Sequence, residues 1–456
     1  MKLPTDGLLQ LIRDGHPLTT GQRIRLVIFL SVPAVMANLT SIVMQYIDAA
    51  MVGHLGAEAS ASIGLVSTST WLFGGLCGAC ATGFSVQVAH RIGAADMAGA
   101  RDVLRQSLWA TCIFGLLLGL SGSAISGPLP HWLGGDAGIC RDSSIYFLIF
   151  SMTVPIWQMG LLAGAMLRCS GNMKVPSILS ICMCVLDVIF NYLLIYVAGI
   201  GVAGAALGTA AAEIVVSAVM MWYLFRRSGT LSLKGRPGSF RPTAPVLRRA
   251  VRIGLPVGVE HALICGAQIA STVIVAPLGV CAIAANSFAV IAESLCYMPG
   301  YGISEAATTL VGQCIGAGRK LLTRRFARIA VLMGMGVMTA MGVLMYLFAP
   351  EMIGVMTPVA EIRDLGIMAL RVEAFAEPMY AAAIVCYGAF VGAADTLIPC
   401  MMNVLSIWGV RITLAAWLAP SMGLKGVWIA MCIELCFRGI IFLWRLATGS
   451  WMNHKH

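Results

Sequence analysis

The sequence predicts an all-α membrane protein with twelve transmembrane helices, arranged as two parallel six-helix repeats. Three observations predict this class. The 456 residues are 59% hydrophobic and 11% charged, with a mean hydropathy of +0.87, whereas a soluble globular domain carries about 25% charged residues. Apolar stretches of about 20 residues, long enough to cross a hydrocarbon core, recur with short polar breaks between them. The second half of the chain also repeats features of the first at an offset of 223 residues.

The apolar stretches define twelve predicted spans, numbered here in chain order. They are continuous and rich in Ala, Leu, Met and Gly, whereas strands of a membrane β-barrel would alternate polar and apolar residues over about ten positions. The spans are residues 26–50, 59–88, 106–127, 143–166, 175–197, 203–225, 250–276, 282–312, 327–349, 366–390, 400–419 and 425–445. No remaining stretch is long enough for a soluble domain.

The basic residues predict the topology. Of the 30 Lys and Arg residues, 24 lie at the N-terminus, in or beside the even-numbered breaks, or at the C-terminus. By the positive-inside rule, both termini of this multi-pass protein are expected in the cytoplasm, with the chain in the cytoplasmic (inner) membrane. The net charge of +10 is therefore attributed to topology and to contact with anionic membrane lipids, and no nucleic-acid partner is expected.

The first apolar run and the cysteines carry no sign of processing or of a cofactor. The run is longer than the core of a signal peptide and lacks a small-residue cleavage site, so we expect it to remain as span 1. The 15 cysteines lie mostly inside spans and are interpreted as small buried hydrophobes. Cys77 and Cys80 have CxxC spacing without a second pair. We expect no metal, no cofactor and a monomeric chain.

The internal repeat pairs six spans with six spans. At the offset of 223, Pro33 aligns with Pro256, and Leu55-Gly56 aligns with Leu278-Gly279. Because six is an even number, the second copy enters the membrane from the same side as the first, which predicts parallel lobes with a substrate path between them. Pro33 and Pro256 each remove a helical hydrogen bond and are predicted hinges.

The repeat sets the predicted domain boundaries. Residues 1–225 form the N-terminal lobe, and residues 250–446 form the C-terminal lobe. Residues 226–249 form a basic cytoplasmic linker rich in Gly and Pro, and residues 447–456 form a cytoplasmic tail.

Span 1 carries a polar stripe that is unusual in a membrane helix. Asn38, Ser41, Gln45 and Asp48 are spaced three, four and three residues apart, which places them on one helical face. A charged side chain at the bilayer centre costs about 2.5–3.5 kcal/mol on insertion scales. The stripe is therefore expected to face protein or water, and Asn38, Ser41 and Gln45 are candidates for the lining of a substrate path.

Spans 5 and 6 continue the polar set. Asp187 and Asn191 lie at positions i and i+4 of span 5, and Thr209 lies early in span 6. Together with Asp48 they supply the hard oxygen ligands that a cation or a proton site needs, and two close carboxylates can share one proton. The alternative is that each residue only forms a hydrogen bond with a neighbouring helix.

The C-terminal lobe has its own stripes, which are candidates for a substrate path. Acidic residues beside aromatic rings suit an amphipathic organic cation, although ordinary packing explains such stripes equally well. The candidates are Glu260, Gln268, Glu293, Tyr297, Glu377 and Tyr380. Glu213 and Glu434 fall at matching places in spans 6 and 12, and this pair is expected to be structural, for example through a contact with Arg438.

Several segments resemble the multidrug and toxic compound extrusion (MATE) family. They are SVPAVMANLTSIVMQYIDAAMVGHLGAEASASIGL, LRCSGNMKVPSIL, VLDVIFNYLLIYVAGIGVAGAALGT and FVGAADTLIPCMMNVLSIWGVR. The resemblance covers both lobes and implies a twelve-helix antiporter that exports drug-like organic cations in exchange for protons or sodium ions.

The resemblance also implies site residues. Asp48 matches the acidic residue near the end of the family's first helix, and Asp187, Asn191 and Thr209 match an amino-lobe cation site. Asp187 is a departure, because Asn is common at that position. A helix 7 acid of one family branch falls at Ile264 here, one turn after Glu260, so a coupling role in the carboxy lobe is not implied.

The sequence therefore predicts a secondary antiporter that exports small organic compounds, most of them cationic, with Asp48, Asp187, Asn191 and Thr209 as the ion-coupling site. Two alternatives stay open. A lipid-linked oligosaccharide flippase of related architecture would show a basic central cavity. An integral membrane enzyme would need a catalytic cluster of His, Ser or Cys residues.

Overall fold

The computed structural model describes residues 5–452, and every regular element in that range is a helix. Eleven of the described helices are long and apolar enough to cross a membrane, and one pair of shorter helices, bent by 61°, makes a twelfth if the pair is counted as one span. The all-α membrane fold is thereby confirmed, with eleven to twelve candidate spans for the twelve that the sequence predicts. Part of the predicted tail, residues 453–456, lies outside the described residues.

The first nine helices extend to Val275. They are α1 (Thr5–Arg13), α2 (Thr20–Gly53), α3 (Ala57–Gly93), α4 (Met97–Ile125), α5 (Leu129–Trp132), α6 (Ala137–Cys169), α7 (Lys174–Tyr192), α8 (Val202–Arg226) and α9 (Ala244–Val275). A π-helical turn, Leu193–Val197, extends α7. Because α9 begins at Ala244, the last basic residues of the predicted linker are helical.

Seven helices complete the chain. They are α10 (Val280–Gly316), α11 (Lys320–Gly354), α12 (Ala360–Glu373), α13 (Glu377–Gly392), α14 (Leu397–Leu405), α15 (Thr413–Met422) and α16 (Leu424–Thr448). The pair α12 and α13 forms the bent span, which the sequence had predicted as one continuous helix. Pro378 is the second residue of α13. It has no backbone N–H, and in a continuous helix its ring would clash with the carbonyl of Ala374, four residues earlier, which accounts for the break before α13. A π-helical turn, Ser406–Ile412, joins α14 to α15.

The chain divides into two compact units, and each takes part of a helix from the other half of the sequence. One unit comprises residues 40–258. The other, called the second unit below, comprises residues up to 39 together with residues from 259 onward. The divisions therefore fall inside α2 and α9, a few residues after Pro33 and Pro256. Both prolines lie within continuous helices.

Matching glycines begin matching helices of the two halves. Gly56 precedes α3 with φ 121° and ψ 170°, and Gly279 precedes α10 with φ 105° and ψ 169°. A side chain at these backbone angles would be strained, so only glycine is suited to both turns. The repeated Leu-Gly pair of the sequence is therefore a shared structural device.

The segment after α8 is anchored within the unit of residues 40–258. Arg101 donates to the carbonyl oxygen of Thr230 at 3.1 Å, and Arg105 donates to that of Arg236 at 2.8 Å. At the start of α4, Asp96 accepts a hydrogen bond from the backbone of Gly99, and this bond holds the pKa of the Asp96 carboxyl below its usual value. The basic linker is thus bound to its own unit along its length.

The second unit begins with an amphipathic helix that the sequence did not predict. Leu8, Leu9 and Ile12 of α1 are buried, and Arg319 donates to the carbonyl oxygens of Leu11 and Ile12 at 3.2 and 3.4 Å. With nine residues, α1 is too short to span a membrane. It packs against α10 of the same unit.

Candidate functional site

Two carboxylates from different helices meet at one amide. Asn191 Nδ2 donates to Asp48 Oδ1 and to Asp187 Oδ2, each at 3.1 Å. Asp187 is 0% exposed and Asn191 2% exposed, whereas Asp48 is half-buried. The structure therefore brings three of the four predicted coupling residues into direct contact, and α7 supplies two of them through the i and i+4 spacing read from the sequence.

The packing of α8 against α7 holds the amide in place. A Cβ atom at Gly208 would lie 2.1 Å from Asn191 Oδ1 and 2.8 Å from the Asn191 backbone nitrogen. Only glycine allows the two helices to approach so closely at this level. The π-helical turn after α7 begins at Leu193, two residues beyond Asn191, and such turns often mark functional sites in helices.

The cluster has unused oxygen acceptors. Asp187 Oδ1 and Asn191 Oδ1 are buried and have no hydrogen-bond partner among residues 5–452. The free oxygens of the Asp187 carboxylate and the Asn191 amide, together with the Asp48 carboxylate, can bind a proton or a monovalent cation, because a buried charge needs compensation. Within the same range, no group of three or more His, Cys, Asp or Glu side chains is arranged to hold a metal ion.

Thr209 lies beside this cluster but makes no hydrogen bond to it among the described residues. Its side chain lines a cavity of about 420 Å³ in the unit of residues 40–258, together with Ser41 from α2. Cys184, one turn before Asp187, lines the same cavity. Gln45 is exposed. The polar stripe of α2 therefore contributes Asp48 to the carboxylate cluster and Ser41 to the lining of the cavity.

Glu260 forms a separate polar site in the second unit. Its carboxylate accepts hydrogen bonds from the Tyr387 hydroxyl at 2.6 Å and from Asn403 Nδ2 at 2.5 Å. Glu260 is 4% exposed, so both donors compensate its burial. Its partners come from α13 and α14, which makes Glu260 a link among three helices of that unit.

Three further acids are buried in the second unit. Glu293 is 5% exposed, and Glu373 and Glu377 are 0% exposed. Both oxygens of Glu373 and both of Glu377 have no hydrogen-bond partner among the described residues. These two acids flank the break between α12 and α13. A buried carboxyl without a donor is costly, so they are candidates for a role other than stability.

Glu434 is neutralised by two arginines. Arg411 Nη2 lies 2.6 Å from Glu434 Oε2, and Arg438 Nε lies 2.9 Å from Glu434 Oε1. Ser406 donates to the same carboxylate at 2.7 Å. The predicted contact between Glu434 and Arg438 is present, and Arg411, which the sequence left unassigned, completes the group.

The remaining predicted residues of the second unit are two tyrosines in contact with each other and two polar side chains on α9 and α2. The rings of Tyr297 and Tyr380 pack edge to face with centroids 5.6 Å apart, and Arg438 lies over the Tyr380 ring at 5.7 Å. Gln268 is exposed on α9. Asn38, in the first part of α2, has a buried Nδ2 atom without a hydrogen-bond partner among residues 5–452.

Some residues of these sites were not identified from the sequence. The amide of Asn403 and the arginine at 411 bind acids that lie 143 and 23 residues away in the chain. The only signal for them is polarity within an apolar span, which does not reveal the partner. The aromatic wall of the cavity, formed in part by Phe150 and Trp157, has no distinguishing spacing at all.

Eleven to twelve candidate spans, with buried carboxylates inside them, are typical of a multi-pass membrane transporter. A model of the MatE family matches residues 33–193 and 256–417, and the two matches begin 223 residues apart. The chain belongs to this family of transporters and is not an enzyme. The repeat read from the sequence is thereby confirmed at its predicted offset.

The chain is similar to curated proteins over nearly its full length. It is 25% identical over 436 residues to a probable multidrug resistance protein NorM of Thermotoga maritima, with 92% of each chain covered. It is 27% identical over 439 residues to a probable NorM of Idiomarina loihiensis, again with 92% of each chain covered. These relatives are bacterial membrane proteins, in keeping with a cell-membrane location.

Solved structures share the fold. A MOP superfamily transporter from Pyrococcus furiosus has a TM-score of 0.90 at 22% identity, with 98% of this chain and 99% of that chain covered. The Vibrio cholerae MATE transporter VcmN in its bent form has a TM-score of 0.86 at 18% identity, with 94% and 97% covered. At such identities the likeness concerns the fold alone.

Proposed function

We propose that this chain is a secondary antiporter that exports small organic compounds, chiefly cations, across the cytoplasmic membrane in exchange for protons or sodium ions. The contact of Asp48 and Asp187 with one Asn191 amide carries the proposal. The similarity to multidrug resistance proteins supports an organic substrate. The coupling ion binds at Asp48, Asp187 and Asn191, with Thr209 beside them in the adjoining cavity.

The energy available to such a cycle is sufficient. Moving one elementary charge across 100 mV is worth about 2.3 kcal/mol, and about 1.4 kcal/mol corresponds to a tenfold concentration ratio. One coupling ion per cycle can therefore maintain more than a tenfold gradient of an uncharged compound, whereas exchange of one ion for one monovalent cation moves no net charge and is driven by the concentration gradient of the coupling ion. Binding and release of the coupling ion require a carboxylate oxygen that can change its partner. Asp187 Oδ1, which has no hydrogen-bond partner among the described residues, is such an oxygen.

The experiment is reconstitution of the full chain in proteoliposomes, with ethidium as the organic cation and an imposed pH or sodium gradient. Asp48→Asn and Asp187→Asn are each expected to reduce gradient-driven transport at least tenfold. Asp142→Asn makes the same chemical change at an exposed position of α6 and serves as the control. Unchanged transport in both folded variants would overturn the proposal, and comparison of the two gradients identifies the ion.

The flippase alternative receives less support. It expects free basic groups deep in the membrane, yet the two arginines within the last spans, Arg411 and Arg438, both pair with Glu434. Buried carboxylate oxygens without a hydrogen-bond partner among the described residues lie on Asp187, Glu373 and Glu377. A polyanionic lipid headgroup would meet repulsion at these positions.

We also propose that both termini lie in the cytoplasm, as the distribution of Lys and Arg predicts, and that membrane lipids and small substrates are the partners of a monomeric chain. Green fluorescent protein fused to the C-terminus fluoresces when it stays in the cytoplasm and does not when it is exported through the general secretion route. Bright fusions at both ends are expected. A dark fusion at either end would contradict the topology, and sedimentation in detergent tests the monomer.

A further inference from the structure

Glu213 is a carboxylate inside the cavity of residues 40–258. The cavity has a volume of about 420 Å³ and is lined along α8 by Thr209, Glu213 and Ser217. Such a volume lies within the range of small-molecule pockets, about 300–1,000 Å³. Glu213 is the one acid among the lining residues. Its neighbours in the lining are mainly apolar, so its charge is poorly screened by the wall.

The repeat shows that Glu213 is not neutralised as its counterpart is. Glu213 lies twelve residues after Gly201, and Glu434 lies eleven residues after Gly423, the two glycines that precede α8 and α16. Glu434 pairs with Arg438 one turn later and with Arg411. The residue one turn after Glu213 is Ser217, which donates a single hydrogen bond to Glu213 Oε1 at 3.0 Å. No Lys, Arg or His forms a salt bridge with Glu213 within the described part of the chain.

Aromatic rings line the cavity on α6. Phe150 and Trp157 are two turns apart along the helix and pack edge to face with ring centroids 5.8 Å apart. Gly74 of α3 packs against the Trp157 ring, because a Cβ atom at Gly74 would lie 2.9 Å from Trp157 Cη2. This contact fixes the position of the indole. A planar aromatic group can stack on this wall while a cation reaches the carboxylate.

The basic residue of the cavity, Arg168, forms no salt bridge with Glu213 among the described residues. Gly160 contacts Ser217, and Gly164 lies near Met220, so α6 and α8 run in the same direction. The Arg168 guanidinium lies beside Gly164, where a Cβ atom would be 3.5 Å from Nη1, whereas the Glu213 carboxylate accepts from Ser217 at the level of Gly160. The two groups thus lie about one helical turn apart along the axes, and a cation in the cavity can reach Glu213 without breaking an ion pair.

We propose that Glu213 determines the charge specificity of this transporter. In this role its carboxylate pairs with the positive nitrogen of an amphipathic organic monocation, and the aromatic part of that cation lies against Phe150 and Trp157. The inference rests on the proposed export of organic compounds and adds the residue that distinguishes a cation from a neutral compound of the same shape. Asp48 and Asp187 retain the coupling ion.

The experiment measures equilibrium binding to the purified full chain in detergent, without a gradient. The probes are (4-phenylbutyl)trimethylammonium and its uncharged isostere, in which carbon replaces the nitrogen. Glu213→Gln keeps the size of the side chain and an oxygen that can accept from Ser217. It is expected to weaken binding of the cation at least tenfold and to leave binding of the isostere within twofold. Glu213→Asp is expected to retain part of the preference for the cation.

Two results would overturn the inference. One is an equal loss for both probes in Glu213→Gln, which would mean that Glu213 only shapes the cavity, and the other is no loss for either probe. The exposed acid Glu58 supplies the control Glu58→Gln, which is expected to alter neither affinity. Cation-selective binding that depends on Glu213, without gradient-driven transport, would refute antiport but not this inference. Gradient-driven transport together with unchanged charge selectivity in Glu213→Gln would refute this inference but not antiport.

Discussion

Asn191 donates its side-chain amide to Asp48 across two helices, α7 and α2, at 3.1 Å. The same nitrogen donates to the second carboxylate, on its own helix, at the same distance. Because an amide nitrogen carries two hydrogens, both are committed to these acids. The amide therefore fixes the spacing of two negative groups whose remaining oxygens are available to an ion.

Replacement of Asn191 by Leu tests this arrangement. Leu has a similar size but no donor, so the buried Asp187 and the half-buried Asp48 each lose a hydrogen bond and the site loses its spacing. We expect coupled exchange in proteoliposomes to fall at least tenfold, and the free energy of unfolding in detergent to fall by about 1–3 kcal/mol. A folded Asn191→Leu chain that exchanges at the normal rate would show that the amide does not organise the site.

Gly208→Ala probes the close approach of α8 to α7. The added Cβ atom would lie 2.1 Å from Asn191 Oδ1, so the helices must separate, at a cost of about 1–3 kcal/mol of unfolding free energy. Gly336→Ala on α11 is the matched control, because nothing lies within 4 Å of its Cβ position. The control is expected to be neutral or to stabilise by up to about 1 kcal/mol. Equal midpoints of thermal unfolding in the two variants would refute this explanation.

The sequence predicted what depends on local periodicity and on hydropathy. All twelve spans coincide with described helices or with the bent pair, because each span needs only its own apolar length. The contact of Asp187 with Asn191 also follows from helical spacing. Their contact with Asp48, which is 143 residues away from Asn191, was anticipated from the polar faces of the two helices and from the family resemblance.

What the sequence did not predict depends on short or distant features. Helix α1 is too brief and too charged to give a hydropathy signal, although its buried face holds it to the second unit. The break before α13 interrupts an apolar run without changing its hydropathy, and Pro378 was the signal for it. The two arginines on Glu434 are brought together by packing of α16 against the π-helical turn Ser406–Ile412, which no local pattern specifies.

The two matching glutamates should respond differently to the same substitution. Glu434→Gln leaves Arg411 and Arg438 facing an uncharged amide in a buried site, and breaking a buried ion pair in this way costs about 3–5 kcal/mol. Glu213→Gln removes no ion pair and is expected to cost about 1 kcal/mol or less. Chemical unfolding of both variants in detergent measures the difference. Similar losses would contradict the view that only the second copy is structural.

Glu373 offers the opposite expectation, a gain in stability. Both of its oxygens are buried without a hydrogen-bond partner among the described residues, and it is the last residue of α12, where the helix dipole disfavours a negative charge. Glu373→Met keeps the length of the side chain and removes the polar group, so we expect the unfolding free energy to rise by about 1–3 kcal/mol.

Glu260→Met is the matched comparison for Glu373→Met. It strips an acceptor from Tyr387 and Asn403 and is expected to destabilise by a similar amount. A loss of stability in both variants would contradict this expectation and show that Glu373 is held by interactions as strong as those of Glu260. A gain of stability in Glu373→Met alone, together with slower export, would identify Glu373 as an acid that serves transport at the expense of stability.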